Sequence, residues 1–525
     1  MFQGLFIDGF AGGGGASTGI AQAIGREVDI AINHSETAIA IHRANHPNTE
    51  HFCQDIRAVW PAHATKLQPV WGAWFSPDCK EYSKAKGGPV KDRHIRALSD
   101  EVEVWLKETQ PVVAYLENVE EYETAGPLDE HGHEIKEMRG KPFKRRVARW
   151  RRLGYRVQHR KLQAFRFGAP TMRRRLYIIM RRDGLPIVWP KPTHGDPMSE
   201  DVRNGKLLPW RTAADIIDWS IACPSIFGRK KELADATKRR IAHGVIRWVV
   251  NAAQRYIVRE EGPFTPTAGA FVTFGQQGGR NRPVDQPHHT ITASKKDTNG
   301  VVTAFLSSFY GSDKKGSGGN PELPLRTARA GGQHHAIVTA HIEQANGGPR
   351  NVNSAGRPAN VPLSTVTTTG SQQRIVETTL IANDDLPPEM LDRAVKTAAF
   401  LVKYYGTDGD NETAQSQPVD RPLDTITTKA RFAVVTVTID AVTYVIVDIG
   451  LRMLTPRELA RAQGFPDSYV LDPECWYTTE KGNRKFGRLP KAMQISAIGN
   501  SVCPPVARAL VAANQPGLAE MRIAA

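Results

Sequence analysis

The 525-residue sequence predicts an α/β protein in which a doubly wound, Rossmann-like parallel sheet is joined to a second, mostly β domain built from repeats. Three observations predict it. Strand-like and helix-like segments alternate over residues 1–118, a proline-anchored unit recurs four times between residues 264 and 440, and capped helices return after residue 450. The length is itself too great for one ordinary core.

The elements follow in order. "GLFI" reads as a strand, followed by a Gly-rich turn and the helix "ASTGIAQAIG". "VDIAIN" is a second strand and "SETAIAIHRAN" its helix; "PVWGAWF", the helix "LSDEVEVWLKET" and the strand "VVAYLEN" come next. Residues 120–140 read as a polar loop, whose "HGH" is better explained by solvation than by metal. "RRLYIIMRR" is one more strand, and the prolines of "WPKPTHGDP" mark a linker near residue 189. Residues 210–257 look helical.

The repeats align on Pro287, Pro324, Pro362 and Pro422, with gaps of 37, 38 and 60 residues. The last gap leaves room for a helix near 386–398. Each unit is a Pro turn, a Thr-rich strand, a polar tip ("SKKD", "GGQHH", "GSQQR", "TKAR") and an apolar strand, and such units stack rather than fold alone. "TPRELARAQGF" carries Thr455 as cap, Pro456 at the first position and Glu458 three on. "GNSVCPPVARALVAANQ" reads as a Gly-Asn turn and a final helix. Three segments result: 1–188, 189–450 and 451–525, the last returning to the first domain.

Composition narrows the function. Five scattered cysteines with no CxxC argue against a disulfide framework or a zinc site, so no metal is expected. No continuous apolar run suggests a membrane span, and the N-terminus lacks a leader pattern; a soluble, intracellular protein is expected. A net charge of +15 points to a polyanion. Residues 141–182 hold sixteen Lys and Arg and no Asp or Glu, enough to neutralise several phosphates, with Val147, Trp150 and Leu153 at helical spacing for an inward face.

Ligands of a parallel sheet bind at the carboxyl ends of its strands. The polar residues at those ends are Asp8, Asn33 with Glu36, Asp55, the Asp78-Cys79 pair and Glu117-Asn118. The glycines of "DGFAGGGGAS" allow a ligand to approach the backbone closely, and an adenosine-containing ligand suits such a turn.

These residues carry a resemblance. "DGFAGGGG", "LENV" (116–119), "FGAPTMRRRLYII" (167–179), "LTPRELARAQGFPD" (454–467) and "AIGNSVCPPVARAL" (497–510) resemble, in order, motifs of the DNA cytosine-5 methyltransferases. The likeness covers about 1–188 and 451–525; the long region between resembles, more loosely, recognition domains of phage-encoded relatives. It implies the S-adenosylmethionine-dependent methyltransferase fold, S-adenosyl-L-methionine as cofactor and double-stranded DNA as partner, acting as a monomer in a bacterial or phage-infected cell. No nuclease-like segment is visible. Cys79 would be the nucleophile that adds to C6 of a flipped cytosine. Glu117 would bond N3 and the exocyclic amine, and Arg173 and Arg175 would steady O2 and the backbone around the base. Asp8, Phe10, Ala11, Gly12, Gly14, Asp55 and Asn500 would surround the cofactor, with either Asn33 or Glu36 on the ribose. The sequence departs from the family where Asp78 stands between Pro77 and Cys79, since a carboxylate beside a thiol disfavours the thiolate. Asp78 is therefore expected to point away or to be outweighed by nearby cations. Cys53 and Cys503 read as packing residues. An RNA methyltransferase with the same core, or an inactive DNA-binding protein of this fold, are the alternatives.

Overall fold

The computed structural model describes residues 4–78, 82, 93–131, 133–221, 223–251, 271–272, 299–301, 306–309, 334–344, 357–358, 373–382, 388–405, 436–439, 442–479 and 481–515. Cys79, the four repeat prolines and the tips "SKKD" and "TKAR" lie outside them.

Seven strands form the first sheet: β1 (Leu5–Gly9), β2 (Ile30–Ile32), β3 (Glu50–Phe52), β4 (Val70–Phe75), β5 (Val113–Asn118), β6 (Arg156–Gln163) and β7 (Arg174–Arg181). Their order is β3-β2-β1-β4-β5-β7-β6. The first five are parallel, while β7 runs antiparallel to both neighbours. The helices are α1 (Gly15–Ile24), α2 (Glu36–Asn45), α3 (Pro61–Thr65), α4 (Arg93–Thr109), α5 (Glu121–Thr124), α6 (Lys141–Arg152), α7 (Glu200–Arg203), α8 (Asp235–Val245), α9 (Pro388–Tyr405), α10 (Pro456–Gln463), α11 (Lys491–Asn500) and α12 (Pro504–Ala513).

Period-two alternation explains why both faces are covered. Phe6, Trp74, Tyr115 and Ile179 face a cluster with Ile20 of α1 and Val506 and Leu510 of α12. Ile7, Phe75, Leu116 and Ile178 face Val102 and Trp105 of α4 and Val147 and Trp150 of α6. Each such aliphatic side chain, once buried, contributes about 1.5–3 kcal/mol. The inward face read from Val147 and Trp150 is therefore present.

Sequence reading missed β6 and implied β3 only through its polar end at Asp55, without delimiting the strand. Both are short on apolar residues and lie at the sheet edges, where one side needs no partner. The expected "GNSVC" turn is corrected as well. Gly499 and Asn500 close α11, and the break falls at Ser501–Cys503. Tertiary contact overrides glycine's poor helix propensity here, because the Gly499 carbonyl accepts a hydrogen bond from Arg173 Nη1 at 3.1 Å. Lys491–Ala513 has the length and hydropathy of a membrane span, but it is two helices with much of its surface buried.

The chain's last helix packs against its first. A Cβ at Gly19 would sit 2.3 Å from the Pro504 carbonyl, and one at Gly14 would sit 2.3 Å from the Tyr469 hydroxyl. These glycines admit protein as well as any ligand. Tyr469 donates to the Gly13 carbonyl at 2.6 Å, which ties the Gly-rich turn to the segment after α10.

A second sheet of eight strands among the described residues takes strands from successive repeats: Asn299–Val301, His334–Gln344, Gln373–Ala382 and Thr436–Ile439 with Val442–Met453. Val376, Leu380 and Ile446 pack against α8 and α9, in a core that continues through Leu459 of α10 and Ile495 of α11. α9 is the helix expected near 386–398, extended to Tyr405. Of the helix expected over 210–257, the described residues show the short 3-10 turn Ala214–Ile216, α8 and the single turn Ile246–Val250 that follows it.

Where the second sheet's last strand meets α10, Arg452 and Glu458 form a buried bidentate pair at 2.8 and 3.0 Å. Glu458 also completes the capping box with Thr455. Arg452 reaches the carbonyls of Asp218 and Ile221, and Glu458 accepts from the Asp218 amide. The sequence showed the cap but not this pairing.

Candidate active site

β5 ends in Glu117 and Asn118, both buried. Asn118 Nδ2 donates to the Pro77 carbonyl at 3.1 Å, so the segment leaving β4 toward Cys79 is tethered beside Glu117. Asp78 is half-buried at that exit.

Glu117 faces two arginines from the neighbouring β7 end. Its Oε1 lies 3.4 Å from Arg175 Nε and 3.7 Å from Arg173 Nη2. All three side chains are buried. Among the described residues, Glu117 Oε1, Arg173 Nε and Arg175 Nε have no hydrogen-bond partner. These are charge contacts longer than a good charge-assisted hydrogen bond, so acceptor and donor capacity remains for a ligand. Burial, then the charge of Arg175, pulls the Arg173 pKa below its ordinary value.

At β1 the turn is held by unusual backbone. Phe10 has φ 64°, Gly12 54° and Gly14 85°. A left-handed non-glycine costs energy that the surroundings must offset, and such positions cluster at ligand sites. The Ala11 amide donates to the Ile32 carbonyl, fixing the turn to β2, while a Cβ on Gly12 would meet only the Phe10 carbonyl oxygen, at an ordinary 3.9 Å.

The remaining sequence candidates separate by burial. Asn33 accepts the Ser35 amide at 2.9 Å in a local turn. Glu36 is exposed at the start of α2 and pairs with Arg484 at 3.2 Å. Asp55 is half-buried and bidentate with Arg57, whose hydrogen bond holds its carboxyl below the usual range. Asn500 is exposed at the end of α11. Asp8 differs from these: it is fully buried behind the turn. Burial pushes its pKa up to about 7, against a hydrogen bond from Ser17.

Cys503 is buried, donates to Gln463 Oε1 at 2.8 Å, and burial pushes its thiol up to about 12, which fits a packing residue. Cys53 is exposed, contrary to its reading as a packing residue. His131 and His133 stand exposed beside Glu130 and Asp129.

The structure adds residues the sequence reading passed over: Ser17, His42, His46, His51 and Tyr469. Their signal was present. His42 and His46 fall four apart on an otherwise apolar helix face, with His51 just beyond.

A sequence profile described as C-5 cytosine-specific DNA methylase matches residues 5–218 and 357–515, more than half of the chain. The chain belongs to the C-5 cytosine-specific DNA methylase family. Its relatives include the Type II methyltransferase M.SacI of Streptomyces achromogenes, 30% identical over 187 residues, which are 33% of this chain and 44% of that protein. The Type II methyltransferase M1.HphI of Haemophilus parahaemolyticus is 30% identical over 200 residues, 36% of this chain and 49% of that one. The chain thus spans about half the length of the curated relatives it matches. A solved Dnmt2 methyltransferase of S. pombe aligns over 97% of each chain at 14% identity, with a TM-score of 0.40. Both matched blocks of the family profile contribute to the site, Glu117 and the two arginines from the first and Gly499 from the second.

Proposed function

We propose that this chain is a DNA cytosine-5 methyltransferase that uses S-adenosyl-L-methionine and a covalent Cys79 adduct. The observation that carries the reading is the buried Glu117–Arg173–Arg175 cluster, with partnerless polar atoms, beside the tethered approach to Cys79. A cytosine turned out of the duplex presents N3, the exocyclic amine and O2 on one edge, which suits one carboxyl flanked by two guanidinium groups.

The cofactor fits the residues present. The open side of Gly12 and the strained Phe10 turn suit a ligand held close to the backbone, with Ala11 and Gly14 completing the turn. Glu36 is the better ribose partner, because Asn33 is spent on its own turn and an exposed pair with Arg484 contributes only about 0–1 kcal/mol. Asp55 and Asn500 border the same end of the sheet. When bound, S-adenosyl-L-methionine supplies the methyl group to the electron-rich C5.

The chain's own residues do the rest. The Cys79 thiolate adds to C6, and the electron pair of the C5–C6 double bond becomes available at C5. Glu117, carrying a proton on one oxygen, donates it to N3 while its other oxygen accepts from the exocyclic amine, so the negative charge that the incoming thiolate puts on the ring is neutralised. Arg173 and Arg175 hold the base and the Glu117 carboxyl in register. After C5 carries the methyl, water takes the C5 proton, Cys79 leaves as the thiolate and N3 returns its proton to Glu117, which restores the double bond. Residues 189–450 act as the recognition domain, and 451–525 complete the catalytic one.

The test is transfer of labelled methyl to duplex DNA and to RNA in parallel. A 5-fluorocytosine duplex should trap wild type, but not Cys79→Ser, as a denaturation-resistant complex. Transfer to RNA alone, or full activity in Cys79→Ser, would overturn the reading.

A further inference from the structure

A continuous row of hydrogen bonds runs behind the Gly-rich turn. Ser17 Oγ lies 2.6 Å from Asp8 Oδ2, His42 Nε2 lies 2.9 Å from Ser17 Oγ, and His42 Nδ1 lies 2.9 Å from His51 Nε2. Asp8, Ser17 and His42 are wholly buried, while His51 is only half-buried. Each middle group has one mobile proton, so the row must run in one sense. With Asp8 ionised, His51 donates to His42, His42 Nε2–H donates to Ser17, and Ser17 donates to Asp8. Add one proton at His51 Nδ1 and pass each proton one step inward. Asp8 is now protonated and donates to Ser17, Ser17 donates to His42 Nε2, and His42 Nδ1–H donates to His51. All three hydrogen bonds survive, and the net change is one proton gained from solvent.

We propose that His51, His42 and Ser17 are positioning residues that form a proton wire to the buried Asp8 carboxylate and so set the charge behind the turn that receives the cofactor. The inference rests on the reading of that turn as the S-adenosyl-L-methionine site. Other groups facing the row are Thr18 from α1, His46 just after α2, bonded to Thr18 at 3.2 Å, and Tyr469 from the segment after α10. Glu27 and Arg43 act on the outer histidines, Glu27 raising His46 and His51, and Arg43 lowering His51. Burial holds His42 well below its ordinary pKa and His51 at about 4, so neither imidazole keeps the proton. Asp8, pushed up to about 7, is the group that does. One of its oxygens, Oδ1, is buried without a partner. The charged carboxylate is therefore held at a cost, which a cationic ligand beside it reduces. Cofactor binding should favour the ionised form and weaken as pH falls.

The experiment is equilibrium dialysis of labelled S-adenosyl-L-methionine with the full chain, free of DNA, across the neutral range, with thermal unfolding of the ligand-free protein as a check on folding. Wild type should lose about tenfold in affinity between about pH 8 and pH 6, the limit for one linked proton. Asp8→Asn should bind more weakly and show no step. Ser17→Ala, a milder change, removes the bond that stabilises the carboxylate and should move the step to higher pH. A flat wild-type profile, or a step that persists in Asp8→Asn, would overturn the wire and leave the methyltransferase reading intact. No binding at any pH would overturn both.

Discussion

Asp8 and Glu117 are both buried carboxylates at strand ends, yet their surroundings divide them. Glu117 has two guanidinium groups within 4 Å, whereas Asp8 has only neutral donors. The Asp8 pKa lies near 7 in the fold against 3.8 for the free group, so its contribution to stability is greatest below about pH 4 and is lost as pH rises through 7. At about 1.4 kcal/mol per unit the loss reaches on the order of 4 kcal/mol. Asp8→Asn should therefore gain in thermal midpoint over wild type as pH is raised from 4 to 8, by differential scanning calorimetry. A constant difference would mean that Asp8 does not titrate there. Glu117→Gln should lower the turnover number about 10²- to 10⁴-fold while cofactor affinity holds, read in single-turnover methyl transfer.

Two helices carry most of the element-scale consequences. α1 touches α12 across glycines, so Gly19→Ala pushes a methyl into the Pro504 carbonyl. Overpacking of this kind costs about 1–3 kcal/mol, more than the roughly 1 kcal/mol of helix propensity that alanine returns, and the unfolding midpoint should fall. α6 divides the basic block. Arg146 and Arg149 are taken by Asp100, and Arg149 also by Glu103 of α4. The helix starts on the Asn118 side and ends just before Arg156, which pairs through Arg181 with Val113 at the far end of the sheet. Exposed Lys144 and Arg145 are therefore nearer the site than Arg151 and Arg152. Neutralising the first pair should weaken DNA binding and reduce the salt slope by roughly 0.9 per phosphate contact, whereas the second pair should leave both unchanged in a fluorescence-anisotropy titration.

At the scale of the whole molecule, two sheets share one long core through α10 and α11, and Arg452–Glu458 fastens the strand of one to the helix of the other. If residues 189–450 read the DNA sequence, as proposed, recognition and catalysis can be altered separately. Changing Gln372 and Gln373 or Lys429 and Arg431 should change which sites are methylated, at about 1–3 kcal/mol per lost bidentate base contact. Bisulfite mapping of DNA from expressing cells checks this. If every tip variant methylates the same motif more slowly, the repeats act as a clamp.

Local pattern was enough for β1, β4, β5 and β7, whose apolar runs are continuous, and for α10, whose cap is written as Thr-Pro-x-Glu. The strand-end positions of Asp8 and Glu117 followed from the same pattern, whereas Arg173 and Arg175 came with the family resemblance. β3 and β6 did not follow from that pattern, because an edge strand needs little apolar sequence. What only the tertiary structure decided is partnership: that Glu117 meets two arginines, that Gly14 and Gly19 make room for Tyr469 and α12, and that His42 meets Ser17 behind the turn, with His51 bonded to His42 and His46 to Thr18. Periodicity fixes which face of an element is buried, since that depends on neighbours a few residues away. Which polar groups meet inside that buried face depends on connections of nine to several hundred residues that pass through turns and crossovers, and no local pattern encodes them.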